Sequence, residues 1–439
     1  MSDYLFQLES HLVPEMQRVL QTVEAAAASQ QLHLFLTGGV LRDTLCGSPV
    51  TMIEFTVEGN PAKLIKDVAA KTKATTSDSH SSRKATRFET PSGLVFEIGM
   101  AQQATYSKPA ANPQIKPATI HDDLRGRDFT LNAIALSLNP ASRGLLLDPV
   151  NGLGDIGHRE IRATSNYTLY DEPARILRML RLKTRLGFEI AERTKMQYEN
   201  VREAKLEDKI QPHSLYAELR LMASEPDPGA LLALLEQERL LLLFSPTLAG
   251  AKVNHAGLAK LQKLRQMLPY GTEMQVENVG IFLFVLCELF NPKEKAAFIQ
   301  HLGISPADVA LWQKLDLRSK KLEATLTSAK LNRASGVYHA LRVAPGDQVL
   351  YLLYRSTQRL VQDRIRKFLT SYVPGVLEIT DREVTAHSKV EPGAPKWIKA
   401  KEDYINGRLD GRIRKPAPVE EPPPPSNMPG RRGRPPSNK

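Results

Sequence analysis

Three groups of residues have the types and spacing to handle a phosphate-bearing ligand. The first is Gly38-Gly39, followed at once by Arg42 and Asp43. Paired glycines let a backbone approach phosphates closely, with free N–H groups at a helix start aimed at them. Arg42 can then grip a phosphate oxygen. Taken alone, a Gly-Gly pair after a strand reads first as a tight turn. The second group is Arg127-Asp128, with Asn132 one turn on. An Arg-Asp pair presented at a helix start can contact a ribose hydroxyl and a phosphate together, although Asp128-Phe129-Thr130 also reads as a helix N-cap. The third is Arg175, Arg178 and Arg181, which recur every three residues and so line one side of a helix. A solvated basic face explains that spacing nearly as well.

The elements that must position these groups follow from pattern. Residues 34–37 are a short apolar strand, the glycines a turn, and Arg42 and Asp43 the first part of a helix. A second strand follows Gly47-Ser48-Pro49 and runs to Val57. Residues 1–31 read as one helix leading into the first strand. Residues 61–73 read as an amphipathic helix with Leu64, Ile65, Val68 and Ala69 on one face. Residues 75–84 are rich in Ser and Thr and read as a loop. Residues 87–90 and 94–100 read as a hairpin turned by Pro91-Ser92-Gly93. Pro173 suits the first turn of the arginine-bearing helix, with Asp171 and Glu172 at the positive end of its dipole. From residue 193 to about 370 the pattern is helical and leucine-rich.

The string from Leu34 to Val57 resembles the head-domain signature of the tRNA nucleotidyltransferase/poly(A) polymerase family, bacterial class II branch, written G-G-x-V-R-D-x-L-L-G and then D-x-D. The segment from Asp122 to Ala133 resembles that family's D-L-x-R-R-D-F-T-x-N-A. Asp171-Glu172 with Arg175 resembles its base-reading E-D-x-x-R, the two acids exchanged. Residues 379–413 are similar to its tail element. The resemblance implies an α+β fold: a polymerase-β-like nucleotidyltransferase head with a small mixed sheet, then all-helical neck, body and tail. The expected boundaries are 1–157 for the head, 158–225 for the neck, 226–370 for the body, 371–413 for the tail and 414–439 for a Pro-rich basic extension.

It also implies roles. Gly38, Gly39, Arg42, Asp43, Arg127, Asp128, Asn132, Glu172, Arg175, Arg178 and Arg181 would bind nucleotide. Glu54 and Glu97 would be catalytic and would hold Mg²⁺. Where the family has the first of its two metal-binding aspartates, however, this chain has Met52, and Glu54 takes the place of the second. A thioether is a poor Mg²⁺ ligand. The family's R-x-E-x-Y becomes Gln102, Ala104 and Tyr106, and the first Arg of its R-R-D is Gly126. The resemblance therefore implies an RNA-binding protein with tRNA or other RNA and CTP or ATP as partners, and with catalysis weakened or lost. A working enzyme adding CMP or AMP to RNA 3′ ends is the alternative.

Composition agrees with a polyanionic partner: 439 residues carry a formal net charge of +11, with 42% hydrophobic and 24% charged residues. Two cysteines, Cys46 and Cys287, indicate neither a disulfide framework nor a cysteine zinc site and suit a reducing cytoplasm. The apolar run near residues 280–289 is too short to span a bilayer, and the N-terminus has no secretory pattern. Nine of the 30 prolines fall between Pro416 and Pro436. The segment ends in Arg431-Arg432-Gly433-Arg434-Pro435, which resembles an AT-hook whose arginines enter an A·T minor groove. A basic tail with non-specific affinity for nucleic acid is the other explanation. A DNA-associated regulator is accordingly a third reading.

Overall fold

A computed structural model describes residues 3–78, 85–269, 274 and 276–415. Its N-terminal part runs α1 (Asp3–His11), α2 (Pro14–Ser29), β1 (His33–Thr37), α3 (Gly39–Leu45), β2 (Ile53–Glu58), α4 (Ala62–Thr72), β3 (Thr75–Asp78), β4 (Thr86–Glu89), β5 (Val95–Met100), β6 (Gln102–Thr105), β7 (Gln114–Pro117), α5 (Ile120–Arg125), β8 (Ala135–Ser137), β9 (Leu146–Leu147) and α6 (Gly152–His158). Seven strands form one sheet in the order β3-β4-β5-β2-β1-β8-β9. All its neighbours are antiparallel except β2 and β5. A parallel pair needs a crossover, and α4 with the β3–β4 hairpin supplies it. β6 and β7 pair separately.

Side chains alternate across a strand, and the two faces of the sheet divide accordingly. Leu34, Leu36, Ile53, Phe55, Val57, Phe88, Phe96 and Ile98 pack against Val19, Leu20 and Val23 of α2 and Leu64 and Val68 of α4. Phe88 and Phe96 stack with ring centroids 4.6 Å apart. Phe35 and Ala135 face the other way, against Ile120 and Leu124 of α5. Residues 54, 87 and 97 are of that second parity.

The chain continues through β10 (Glu160–Ile161), α7 (Thr168–Asp171), α8 (Arg175–Leu186), β11 (Glu189–Ile190), α9 (Glu192–Glu203), α10 (Pro212–Ala223) and α11 (Pro228–Gln237), and then through helices as far as Trp397–Leu409. The architecture is the expected α/β head with a small mixed sheet followed by helices. Phe129 and Leu131 of the head belong to the same apolar core as Ile176, Leu177 and Leu180 of α8 and Leu215 and Leu219 of α10. No helix among the described residues is long and apolar enough to cross a membrane.

Four local expectations need correction. The N-terminal helix is two helices, because Pro14 cannot continue α1 and instead opens α2. Thr75–Asp78, expected in a loop, is a strand paired with β4; the rest of that stretch, 79–84, lies outside the described residues. Arg127-Asp128 does not open a helix but follows α5, and the Asp128 side chain accepts from the N–H of Phe129 without capping the next turn. Pro173 lies in the link between α7 and α8, whose first residue is Arg175.

Candidate active site

The register aligns three charged residues across three adjacent strands. Glu54 on β2 pairs with Glu97 on β5, and Glu97 with Arg87 on β4. Like charges side by side on a sheet repel and opposite charges attract, so each carboxylate needs a compensating donor. Glu54 finds one in the turn: its Oε1 accepts from the N–H of Gly39 at 3.4 Å. Gly38 has φ +76°, and a Cβ there would overlap the Glu54 carboxylate and lie 3.1 Å from Nη1 of Arg127. The glycine pair thus serves both a turn and a close approach. Glu97 is approached by Arg87, whose Nη1 lies 3.9 Å from Glu97 Oε1 and 3.9 Å from the sulfur of Met52.

Mg²⁺ demands hard oxygen ligands in near-octahedral geometry. The donors here are a soft thioether, a carboxylate bonded to Gly39 and a carboxylate beside a guanidinium. Among the described residues no group of three or more His, Cys, Asp or Glu side chains is assembled to hold a metal ion. The residues present do not fit the metal that the resemblance implies.

Arg42, Arg178, Arg181 and Arg185 lie in a circuit of polar contacts. Arg42 donates to Asp43 at 2.9 Å and to Asn132 Oδ1 at 2.8 Å. Asn132 donates to Asp128 at 3.0 Å. Arg178 of α8 donates to Asp128 at 2.8 Å and to Glu218 of α10 at 2.9 Å. Arg181 joins Glu218 at 3.3 Å to Glu225 at 2.8 Å. Arg185 bonds Asp43 at 2.8 Å and lies 4.0 Å from Glu225 Oε2, a buried atom without a hydrogen-bond partner, so charge alone closes the circuit there. Its four arginines are matched by four acids, so the circuit as a whole is neutral.

Arg127 stands beside it, bonded to Asp123 at 3.1 Å and to Thr56 at 3.3 Å. Glu172 and Arg175 bond each other at 3.1 Å, and Arg175 also donates to the carbonyl of Thr168 at 3.2 Å. Only 7–8% of Arg175 and Arg181 is exposed, so the arginine face of α8 is not a solvated basic surface. Burial alone would raise the Asp128 pKa, but Arg178 and Arg175 outweigh it and hold the carboxyl well below the usual carboxylate range. Burial likewise opposes the charge on Arg178, and Glu218 and Asp128 more than restore it.

Of the expected residues, Gly38, Gly39 and Glu54 meet at the turn, Glu97 lies beside Glu54, and Arg42, Asp43, Asn132, Asp128, Arg178 and Arg181 share the circuit. Arg127 flanks the turn, and Glu172 and Arg175 form their own pair. Arg431, Arg432 and Arg434 lie outside the described residues. Sequence reasoning missed Arg87, Asp123, Arg185, Glu218 and Glu225. The available signal for Glu218, which is 2% exposed, was its place on the apolar stripe of α10.

Comparison with known proteins bears on this geometry. Residues 34–162 match the poly A polymerase head domain. The chain is 26% identical over 343 residues to an A-adding tRNA nucleotidyltransferase of Aquifex aeolicus, covering 77% of this chain and 40% of that protein. It is 33% identical over 202 residues to a CC-adding tRNA nucleotidyltransferase of Deinococcus radiodurans, covering 46% and 53%. Residues 34–162 thus carry a poly A polymerase head domain, and the chain is similar to tRNA nucleotidyltransferases over the stretches that align. It spans less than two thirds of the length of these curated relatives. Its fold matches that of an apo CCA-adding enzyme at a TM-score of 0.53 and 20% identity, over 94% of this chain and 96% of the other.

Within the matched head segment the chain departs from the expected pattern at charged positions. Gly126, in place of an arginine, ends α5 with an ordinary φ of −86°, so the backbone does not require glycine there. Gln102 is buried, and its backbone N–H bonds Asp123 at 2.9 Å.

Proposed function

We propose that this protein binds a nucleoside triphosphate, CTP or ATP, in its head and the 3′ region of a tRNA or similar RNA along its helical part, with nucleotidyl transfer weakened or lost. The carrying observation is the donor set at the metal position: Met52, a Glu54 bonded to Gly39, and a Glu97 beside Arg87. The arginines that would meet a triphosphate also have their donors committed to internal acids, which lowers the positive field they offer an incoming nucleotide. RNA binding is supported by the net charge of +11 and by exposed Lys314, Lys320 and Lys321 at helix Leu315–Thr327 and Arg366 and Lys367 on the adjacent helix Arg359–Lys367.

The test is incorporation of labelled CTP and ATP into tRNA lacking its 3′ end, first with Mg²⁺ and then with Mn²⁺. No addition, with the tRNA still retained, is expected. Template-independent addition by the unaltered protein supports the second reading, an active enzyme adding CMP or AMP with Glu54 and Glu97. The observation in favour of that reading is their direct pairing on β2 and β5.

A further inference from the structure

The misfit between the implied metal and the residues present has a counterpart on β4. Arg87 is registered directly opposite Glu97 and reaches past it to Met52. Its guanidinium lies 3.9 Å from both Glu97 Oε1 and the Met52 sulfur, in the row that ends at Glu54. We propose that Arg87 is a built-in cation that takes the place of a divalent metal in the head, so that this site meets carboxylate and phosphate charge with a guanidinium and does not bind Mg²⁺ or Mn²⁺ between Glu54 and Glu97. This deepens the proposed nucleotide site and rests on that reading.

Three features carry it. Two carboxylates on neighbouring strands repel unless a cation compensates them. An arginine supplies a charge that is never titrated away, with planar donors suited to carboxylate and phosphate oxygens. A fixed positive charge at that spot also repels an arriving divalent ion, while sulfur offers that ion almost nothing. Met52 and Arg87 are therefore coupled. The thioether lets the guanidinium rest beside it without a tight ion pair. An aspartate at 52 would instead draw Arg87 into one, occupying the oxygens meant for metal. Restoring the aspartate alone is thus insufficient; the arginine must leave as well.

The test is a Mn²⁺ titration of the full chain, followed by the electron paramagnetic resonance signal of free Mn²⁺, with no nucleotide or RNA present. The unaltered protein and Met52→Asp are expected to take up no ion at the head. Met52→Asp combined with Arg87→Ser is expected to bind one ion at least about tenfold more tightly than either, and to lose it on Glu97→Gln. Met52→Asp with Arg87→Lys keeps the cation and is expected to show no gain; Met52→Asp with Arg87→Gln, read beside the thermal midpoint of each variant, supplies a second charge-free form where the Ser variant misfolds, and no gain in a folded charge-free form would overturn the proposal. Uptake by the unaltered protein that Glu97→Gln abolishes would overturn the proposal, as would tight uptake by Met52→Asp alone.

A second arm measures binding of a fluorescent ATP analogue in EDTA and in Mg²⁺. Equal affinity in the two buffers, with about tenfold loss in EDTA for Arg87→Ser, is the expected result, and binding that requires Mg²⁺ overturns the proposal. Absence of nucleotide binding in both buffers removes the nucleotide reading and the ligand half of this proposal, while the Mn²⁺ arm still decides the metal half.

Discussion

Gly38 carries a φ of +76° with the Glu54 carboxylate lying where a side chain would begin. Two costs therefore meet in any substitution there: a backbone region that L-residues avoid, and displacement of a charged group from its donor. Gly38→Ala is expected to destabilise the protein by about 1–3 kcal/mol, read as a lowered thermal midpoint, whereas Gly126→Ala, at an ordinary φ, should change it little. Asp128 gives a second prediction. Its carboxyl is held below the ordinary range by Arg178 and Arg175 against the effect of burial. A depressed folded pKa means that its stabilising contribution is complete above the unfolded value of about 3.9 and is lost as pH falls towards the lower folded value. Thermal midpoints measured from neutral pH downward should fall in acid, and Asp128→Asn should start lower and fall less steeply.

At the scale of elements, Glu218 of α10 accepts from both Arg178 and Arg181 of α8, and Arg178 in turn bonds Asp128 of the head. Removing one member of a buried charge network leaves its partners uncompensated. Glu218→Gln is expected to cost about 3–5 kcal/mol, seen as a lower urea midpoint. Much of this architecture was legible beforehand. The Gly38-Gly39 turn, the hairpin around Pro91-Ser92-Gly93 and the amphipathic face of α4 are encoded within a few residues, by turn chemistry and by period. The edge strand Thr75–Asp78 was not, because its four polar residues become a strand only by pairing with β4. The spacing of Arg175, Arg178 and Arg181 was visible, but the partners of Arg178 and Arg181 on α10 and in the head lie 37 to 50 positions away, and no local rule points to them. Arg87 was legible as a strand residue and not as a neighbour of Met52, since that contact depends on the order of strands in the sheet.

Across the whole molecule, the neutrality of the circuit that joins the sheet-bearing part to α8 and α10 leaves the net charge of +11 to be carried elsewhere. Nucleic acid affinity should then depend on peripheral basic residues and on salt. Deleting residues 429–439 removes Arg431, Arg432, Arg434 and Lys439. The expected effect on tRNA binding is a shallower slope of log affinity against log salt, by about 0.7 for each single-strand phosphate that the shortened chain leaves unneutralised; an unchanged slope would exclude the tail from binding.

The same circuit has a consequence for how the chain is made. Asp43 leaves the ribosome 142 residues before Arg185, the partner that it meets in the finished protein. At bacterial and eukaryotic elongation speeds this is a delay of roughly 7 to 28 s. Through that interval the sheet can assemble from β1 to β9 with Arg42 and Asp43 paired to each other, but Asp128 holds a charge whose partner Arg178 has not yet been synthesised, and Asp43 lacks its second arginine, Arg185. The nascent head is thus a different electrostatic object from the mature one, and it acquires its final polar interior only when α10 and Glu225 have emerged.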